Sequence, residues 1–273
     1  MRIGRSDLVL EIGSGHNPRP RSDVLCDNSI DADTERGGRI VRDRPIVEAD
    51  AQALPFRDLS FDSVICSHVL EHVEDPERML RELMRVASAG YIETPSEIGK
   101  LLYGWPFHRS VVRSDGTKLV IRKKDFVSPF GELFHVIGAR DPGFRRFHLT
   151  HGRLFLVQYE WRGRIEYEIS TGRPVDLHSA PVVEELWSRA ADTSRRDRWV
   201  ALAKNLVPTS LTAWGKSVVA RTMPRRQCHL RDVVACPVCK GSVDWVDAWI
   251  ECSRCRVRYP IVDGIPRFLA GSA

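Results

Sequence analysis

The sequence lacks any long apolar run. No stretch approaches the ~18 consecutive apolar residues of a membrane-spanning helix. Residues 8–12 are interrupted by Glu11 and are too short for the hydrophobic region of a secretory signal. There is also no internal repeat and no low-complexity segment. With 42% hydrophobic and 28% charged side chains, the 273 residues predict a globular protein with one larger core and a small appendage.

Acidic side chains are scarce in the later part of the chain. The first hundred residues hold 13 basic and 19 acidic side chains, whereas residues 101–273 hold 28 basic and 17 acidic side chains. Between Arg195 and Arg231 there are nine basic residues and one acid, Asp197. This basic tract is suited to RNA phosphates or an anionic membrane surface, and it equally fits a charged connector between domains.

Cysteine is infrequent, with seven residues, but four of them form two CxxC pairs separated by twelve residues. This spacing can bring four thiolates to one tetrahedral ion. A redox pair or disulfides are the alternatives, but redox CxxC motifs usually occur singly. Four thiolates leave no position open for water, so we expect a structural zinc. The predicted ligands are Cys236, Cys239, Cys252 and Cys255. Thiols used in this way indicate a reducing, cytoplasmic location.

The residues around these cysteines resemble a known family. CPVCK at 236–240, the second pair at 252–255 and RYPIVDGIPRFL at 258–269 are similar to the small Trm112-like zinc domain. Members of that family activate partner methyltransferases by packing against them. The resemblance therefore implies a zinc ribbon in residues 231–273 that supports an enzyme, with the tail as an extended strand against the ribbon.

The first hundred residues alternate short apolar runs with polar or helical segments. We predict strands at 7–12, 23–26, 46–48, 61–66 and 90–94, and a helix from Pro76 to Ala87 that starts after Asp75. This alternation is typical of an α/β fold with a parallel sheet.

A glycine turn and two acids mark the ends of these strands. Gly13 and Gly15 follow the first strand, and Asp27 and Asp50 follow the second and third. Ligands of open α/β sheets bind at the carboxyl ends of the strands, so a nucleotide-type cofactor is expected there. A dinucleotide site would need glycine at position 18, which is proline.

A second resemblance covers residues 7–96. The motifs DAQALPF at 50–56, SFDSV at 60–64 and VLEHV at 69–73 are similar to class I S-adenosylmethionine-dependent methyltransferases of the type 11 group. The resemblance implies a Rossmann-like sheet that binds S-adenosylmethionine, with Gly13 and Gly15 at the methionine part and Glu11 supporting the turn. Asp27 would bind the ribose, and Asp50 and Ala51 would contact the adenine. The implied cofactor-binding residues are Glu11, Gly13, Ser14, Gly15, Asp27, Asp50, Ala51 and Ser67.

This chain departs from that pattern after the first strand. Asn17 stands where a third glycine is expected, and about seven residues, 16–22, join the first two strands. A crossover helix needs more, so we expect at most one helical turn there, starting at Pro18.

The catalytic residue is harder to identify. The resemblance implies that His68, after the fourth strand, lies near the methyl acceptor, and imidazole is suited to act as a base. A packing or capping role is the alternative. Further along, 154–161 and 165–169 predict a hairpin that supplies the last two sheet strands, and 181–231 is helical in pattern.

We therefore expect a methyltransferase domain at 1–175, a basic helical connector at 176–230 and a zinc ribbon at 231–273. The expected activity is methylation of a polar small molecule or glycan intermediate. A tRNA or rRNA substrate, or a non-catalytic scaffold that binds the cofactor, are the alternatives. The pattern leaves the acceptor atom and the oligomeric state open.

Overall fold

The structure is a computed structural model that describes residues 3–31, 38–191, 215 and 225–269. The chain divides into two compact units. The first comprises Met1–Ile92, Glu160–Ile165 and Ala220–Ala273, and the second Glu93–Tyr159 and Glu166–Val219. Within the described residues, no helix has the length and apolar character required to cross a bilayer.

A six-stranded sheet carries the first unit. Its strands are β1 (Val9–Ile12), β2 (Val24–Asp27), β3 (Ile46–Glu48), β4 (Ser63–Ser67), β5 (Ala89–Pro95) and β8 (Leu156–Arg162). Their order is β3-β2-β1-β4-β5-β8, and β1 pairs in parallel with both β2 and β4. Strands β1, β2 and β3 are buried along their whole length, as expected of parallel strands covered on both faces. The predicted α/β class is confirmed.

Helix α1 (Pro76–Val86) begins and packs as the sequence predicts. The Asp75 carboxylate accepts a hydrogen bond from the Arg78 amide at 2.9 Å, and Pro76 occupies the first turn, where it loses no hydrogen bond. Met79, Leu80, Leu83 and Val86 recur at helical spacing and are fully buried.

The connection between β1 and β2 contains no helix, and even the single turn from Pro18 that the sequence allowed is absent. The chain makes turns instead, with the Asn17 amide donating to the Ser14 carbonyl and the Ser22 amide to the Arg19 carbonyl. With so few residues available, the carboxyl end of β1 is left without a crossover helix above it.

The second unit contains helices α2 (Glu97–Tyr103), α3 (Gly131–Arg140), α4 (Pro142–Thr150), α5 (Gly152–Phe155) and α6 (Ala180–Ala191). It also contains a sheet of β6 (Ser110–Ser114), β7 (Leu119–Lys123) and β9 (Tyr167–Ser170). Strand β7 pairs antiparallel with β6 and parallel with β9. Helix α6 agrees with the predicted helical pattern; residues 192–214 and 216–224, which hold most of the basic tract, lie outside the described residues.

The predicted hairpin of residues 154–161 and 165–169 is wrong in its pairing. The turn is present, with Gly163 at φ +73°, and β8 joins the large sheet as expected. However, β9 pairs with β7 in the smaller sheet. A short glycine turn specifies a change of direction but does not specify which strand edge the chain reaches afterwards.

The carboxyl-terminal ribbon belongs to the first unit. After a short helix α7 (Leu230–Val233), it consists of β10 (Val243–Val246), β11 (Trp249–Cys252), β12 (Arg258–Val262) and β13 (Ile265–Pro266), all antiparallel. The tail predicted as one extended strand turns at Asp263 and Gly264, so β12 and β13 form a hairpin. Gly264 has φ +75°, a conformation that glycine adopts at little cost.

The ribbon extends the large sheet at its β3 edge. The Phe268 amide donates to the Glu48 carbonyl at 2.7 Å, and Arg267 forms a parallel bridge with Glu48. Ile265 is buried with Leu25 and Ile46 of β2 and β3. The edge of β3 is thereby covered by the chain's own carboxyl-terminal segment.

Candidate cofactor site and metal centre

The glycine turn after β1 requires glycine at its first position. Gly13 has φ +68°, and a Cβ on it would lie 2.2 Å from Val69 Cγ2 and 3.6 Å from the Ser67 carbonyl oxygen. The backbone just after β1 therefore lies very close to the segment that follows β4. Gly15 has φ +50° with open space where a Cβ would point, so a ligand can approach this backbone closely.

Asp27 is held against this turn. One of its carboxylate oxygens accepts the Gly15 amide at 3.0 Å, and the other accepts the Ser29 amide at 3.2 Å. Asp27 is buried at the carboxyl end of β2. Carboxylate oxygens each have two lone pairs, so these contacts leave acceptor capacity for ligand hydroxyls.

Two serine hydroxyls beside Gly13 are buried without a hydrogen-bond partner in the described part of the chain. They belong to Ser14, in the turn, and Ser67, the last residue of β4. Buried hydroxyls in folded proteins almost always have a partner. Their position at the ends of β1 and β4 fits the polar amino-acid portion of S-adenosylmethionine, which carries both donors and acceptors.

Asp50 begins a tight loop after β3. Its carboxylate accepts the Gln52 amide at 2.8 Å and the Gln52 side-chain amide at 3.0 and 3.1 Å. Gln52 in turn accepts the Asp75 amide at 2.8 Å, which ties the loop to the start of α1. Ala51 is buried beside Asp50. The loop is fixed, so Asp50 and Ala51 are presented at a defined position past β3.

Glu11 is buried in the middle of β1 and organises the short β1–β2 connection. Its carboxylate accepts the Arg19 amide at 2.8 and 3.1 Å and the Ser22 hydroxyl at 2.6 Å. Arg44 donates to the Ser22 hydroxyl at 2.9 Å. Burial raises the pKa of the Glu11 carboxyl, although the bonds from Ser22 and Arg19 act against that rise. Glu11 thus holds the loop that replaces the missing crossover helix.

Ser22 and Arg44 of this network were not among the residues predicted from the sequence. A signal was available, because a glutamate inside a fully apolar strand must find partners when it is buried. The partners themselves lie 11 and 33 positions along the chain, with no local pattern that identifies them.

His68 lies directly after β4 with φ +57°, an unusual conformation for a residue that is not glycine. Its Nδ1 is 3.4 Å from Glu71 Oε1, and its side chain is 51% exposed while that of Glu71 is fully buried. The Glu71 carboxylate is close enough to pair with a protonated imidazole. This arrangement would suit an imidazole that takes up a proton at Nε2.

The four predicted cysteines form one cluster. The sulfurs of Cys236, Cys239, Cys252 and Cys255 all lie within 4.8 Å of one another. A zinc ion with bonds of about 2.3 Å needs sulfurs at the corners of a tetrahedron with edges of roughly 3.8 Å, so the cluster fits the metal. A hydrogen bond with the Cys255 thiol lowers the pKa of Cys239 to about 7. Zinc requires thiolates, and a readily deprotonated sulfur favours its binding.

The two cysteine pairs are built alike. In each, the residue after the second cysteine has φ +59°: Lys240 in the first knuckle and Arg256 in the second. The Lys240 amide donates to the Cys236 carbonyl and the Arg256 amide to the Cys252 carbonyl, both at 2.9 Å. Both knuckles therefore close with the same turn.

The first knuckle also contacts the sheet domain. Lys240 Nζ lies 2.8 Å from Glu82 Oε2 of α1 and 3.3 Å from the Leu54 carbonyl oxygen. Nearby, the Ala235 amide donates to the Pro55 carbonyl and the Arg57 amide to the Val233 carbonyl. These bonds attach the ribbon to the segment that follows Asp50. No local pattern in the sequence predicted Lys240 as a contact residue.

Comparison with known proteins agrees with both parts of this site. A model described as a methyltransferase domain matches residues 25–92, and a model described as Trm112p-like protein matches residues 230–264. Each model matches only part of the chain, and the two matched regions do not overlap. The predicted pairing of a methyltransferase domain with a Trm112-like domain is confirmed, and the four-cysteine cluster fits the expected metal.

Individual relatives match one region each. A demethylmenaquinone methyltransferase of Paenarthrobacter aurescens is 34% identical over 95 residues, which cover 33% of this chain and 37% of that protein. A UPF0434 protein of Shewanella oneidensis is 46% identical over 46 residues, covering 16% of this chain and 78% of that protein. The chain spans about two fifths of the length of the curated methyltransferases it matches first.

Among solved structures, the chain is similar to one from a complex of the Haloferax volcanii Trm112 methyltransferase activator with a methyltransferase. The identity is 22% and the TM-score 0.28, with 34% of this chain and 47% of that chain covered.

Proposed function

We propose that this protein is an S-adenosylmethionine-dependent methyltransferase that carries a structural zinc ribbon in the same chain. The observation that carries the proposal is the pair of buried, unpartnered hydroxyls of Ser14 and Ser67 at the glycine turn. Together with the Asp27 carboxylate, they form a polar site at the carboxyl ends of β1, β2 and β4, where α/β sheets bind their ligands.

Different residues of the site would contact different parts of the cofactor. Gly13 and Gly15 would lie against the methionine portion, Ser14 and Ser67 would bind its polar groups, and Asp27 would accept hydrogen bonds from the ribose hydroxyls. Asp50 and Ala51 would meet the adenine, and Glu11 would keep the β1–β2 connection in place. When bound, S-adenosylmethionine supplies a methyl group activated by a sulfonium.

The protein's part in the transfer is to orient the acceptor and, where the acceptor must lose a proton, to take it up. We propose that His68 Nε2 accepts this proton, because the Glu71 carboxylate lies 3.4 Å from the other ring nitrogen, Nδ1. His68 then acts as a general base beside the end of β4.

The zinc ribbon has a structural role in this proposal. Residues 231–273 brace the domain of residues 1–175, and residues 176–230 connect the two. A module in the same chain acts at a high effective concentration, so no separate activating subunit is required.

The proposed acceptor is a small molecule, and a polar metabolite or glycan intermediate is the first class to test. The demethylmenaquinone methyltransferase is named for a small-molecule acceptor, which supports a small molecule over a macromolecule as the acceptor. A tRNA or rRNA acceptor is the second candidate, favoured by the nine basic residues between Arg195 and Arg231.

The test is calorimetric titration of S-adenosylmethionine into the wild type, Asp27→Asn and Asp50→Ala. Asp244→Asn, an exposed acid on β10, is the matched control. We expect binding by the wild type and the control, and at least tenfold weaker binding by both site variants. Release of S-adenosylhomocysteine with an acceptor panel then tests turnover, and His68→Asn should lower turnover while cofactor binding is unchanged.

Three results would contradict parts of the proposal. No binding by folded, zinc-loaded wild type would remove the cofactor assignment. Cofactor binding without turnover on small molecules or RNA would favour the scaffold alternative. RNA binding that weakens with salt and is lost when Arg195, Arg196 and Arg198 are neutralised would favour the RNA substrate.

A further inference from the structure

No side chain of helices α3 and α4 of the second unit is fully buried, and Phe134, Ile137, Phe144 and His148 are half-buried. The two helices contain 10 and 9 residues. Helices shorter than ~12–15 residues are marginal in water and are normally stabilised by burying one face. The half-buried side chains supply that packing, whereas other apolar side chains of the same segment stay exposed in the described part of the chain.

Large apolar side chains are exposed along this segment. Val127 is 84% exposed, Phe130 50%, Leu133 56% and Val136 44%. Leu133 and Val136 lie three positions apart and share one face of α3. Val127 and Phe130 precede the helix in the chain, and we call the four exposed residues together the exposed apolar face of the α3 segment.

The contact between the two helices uses other residues. The Phe134 ring lies 5.7 Å from that of Phe144 in α4, and Phe144's amide is capped by the Asp141 carboxylate at 2.8 Å. Leu133 and Val136 of α3 remain exposed beside this contact.

The same segment carries arginines without acidic partners. Within the part of the chain that the structure describes, Arg140, Arg145 and Arg146 form no ion pair. Other arginines of this unit are paired, such as Arg122 with Glu97 and Arg189 with Glu185. Residues 127–153 contain four arginines against two acids. Arg140 lies seven positions after Leu133 and shares its face.

We propose that the α3–α4 segment binds the surface of an anionic lipid bilayer. The exposed apolar face of the α3 segment would insert by about 5–10 Å, and Arg140, Arg145 and Arg146 would contact lipid phosphates. RNA explains the arginines but gives no favourable contact to Val127 or Leu133. A second copy of the chain would bring the same cationic face against itself, which is unfavourable. An anionic bilayer explains both the exposed apolar side chains and the arginines of this segment.

The experiment is co-sedimentation of the full-length protein with vesicles of phosphatidylcholine alone and of phosphatidylcholine mixed with phosphatidylglycerol. We expect binding to the mixed vesicles that weakens with salt. Val136→Asp should lower the partition coefficient at least about tenfold. Arg145→Gln with Arg146→Gln should lower it by roughly fivefold per arginine. The variants should remain folded, because none of these side chains is buried.

Matched controls use exposed residues elsewhere. Val246→Asp, on β10, replaces a valine that is 53% exposed, and Arg189→Gln removes an arginine that is already paired. Both should bind vesicles as the wild type does. A second readout is hydrogen exchange, in which the amides of α3 should gain protection when mixed vesicles are added.

Several outcomes would overturn the proposal. One is a wild-type protein that binds neither kind of vesicle. Another is vesicle binding that is unaffected by Val136→Asp. A third is a dimer, seen by sedimentation, that Val136→Asp dissociates without any vesicle binding. A fourth is RNA binding that depends on Arg145 and Arg146, in a protein that binds neither kind of vesicle. None of these results bears on cofactor binding, which is tested separately.

Discussion

Lys240 of the first cysteine knuckle and Glu82 of helix α1 form an ion pair, with 2.8 Å between Nζ and Oε2. The same Glu82 oxygen accepts the Leu54 amide at 2.7 Å, and the Glu82 carboxylate is also bonded by Arg85. Leu54 follows Asp50 and Ala51 in one short loop. The metal centre is therefore linked through two side chains to the loop proposed to hold adenine.

Lys240→Met should weaken this link. Removing a hydrogen bond to a charged, partly buried carboxylate costs about 1–2 kcal/mol of the free energy of unfolding. Because the loop of residues 50–54 loses one of its anchors, the dissociation constant for S-adenosylmethionine should also rise several-fold. Denaturant unfolding and calorimetric titration measure the two effects.

The matched control for that variant is Arg256→Met. Arg256 occupies the same position and backbone conformation in the second knuckle, but its side chain is exposed. An equal loss of stability and affinity in both variants would mean that the knuckle turn matters and that the contact with Glu82 does not.

Glu82 should contribute to acid sensitivity. Burial alone would raise the pKa of its carboxyl, but hydrogen bonds and charge from Arg85 and Lys240 outweigh burial, so the pKa lies below its ordinary value. A depressed pKa stabilises the fold above the unfolded-state value of about 4.3, and the stabilisation is lost as pH falls through the folded-state pKa.

Glu82→Gln should therefore reduce the loss of stability between neutral pH and about pH 3, measured as the free energy of unfolding at each pH. Glu132→Gln, on an exposed part of α3, is the comparison and should leave the profile unchanged. A Glu82→Gln profile parallel to that of the wild type would show that this carboxyl does not titrate differently in the folded protein.

Much of the fold could be predicted from the sequence because its signals are local. The strands β1 to β4 are short buried apolar runs, and helix α1 begins at the capping residue Asp75. The four cysteines were identifiable from spacing alone, since a tetrahedral ion needs two closely spaced ligand pairs. In each case, neighbouring residues contain the information.

The parts that could not be predicted depend on distant partners. Strand β9 pairs with β7, about 48 positions away, and nothing in residues 165–170 specifies that edge. The Glu11–Ser22–Arg44 network and the Lys240–Glu82 pair also join residues far apart in the chain. The conformation of His68 at φ +57° depends on how β4 ends rather than on a local glycine or asparagine.

The two glycines of the turn should respond differently to alanine. Gly15→Ala places a side chain in open space at φ +50° and should cost about 1–2 kcal/mol of the free energy of unfolding. Gly13→Ala adds a clash at 2.2 Å with Val69 to a similar backbone cost, so it should be considerably more destabilising. Thermal or denaturant unfolding gives both values. Equal costs would show that the turn moves freely away from β4.

Removing the zinc should unfold the ribbon first and leave the centre of the sheet intact. Chelation leaves four thiols without the ion that joins both knuckles, so residues 236–269 should lose amide protection in hydrogen exchange. The Phe268 amide bonds to the Glu48 carbonyl, so the edge at β3 should become more dynamic in the same experiment. Strands β1 and β4 pair within the sheet and should stay protected. Cys252→Ser should reproduce the chelated pattern, whereas Cys228→Ser, outside the cluster, should not. Simultaneous loss of protection in β1, β4 and the ribbon would instead show that zinc binding and the folding of the whole first unit are one cooperative event.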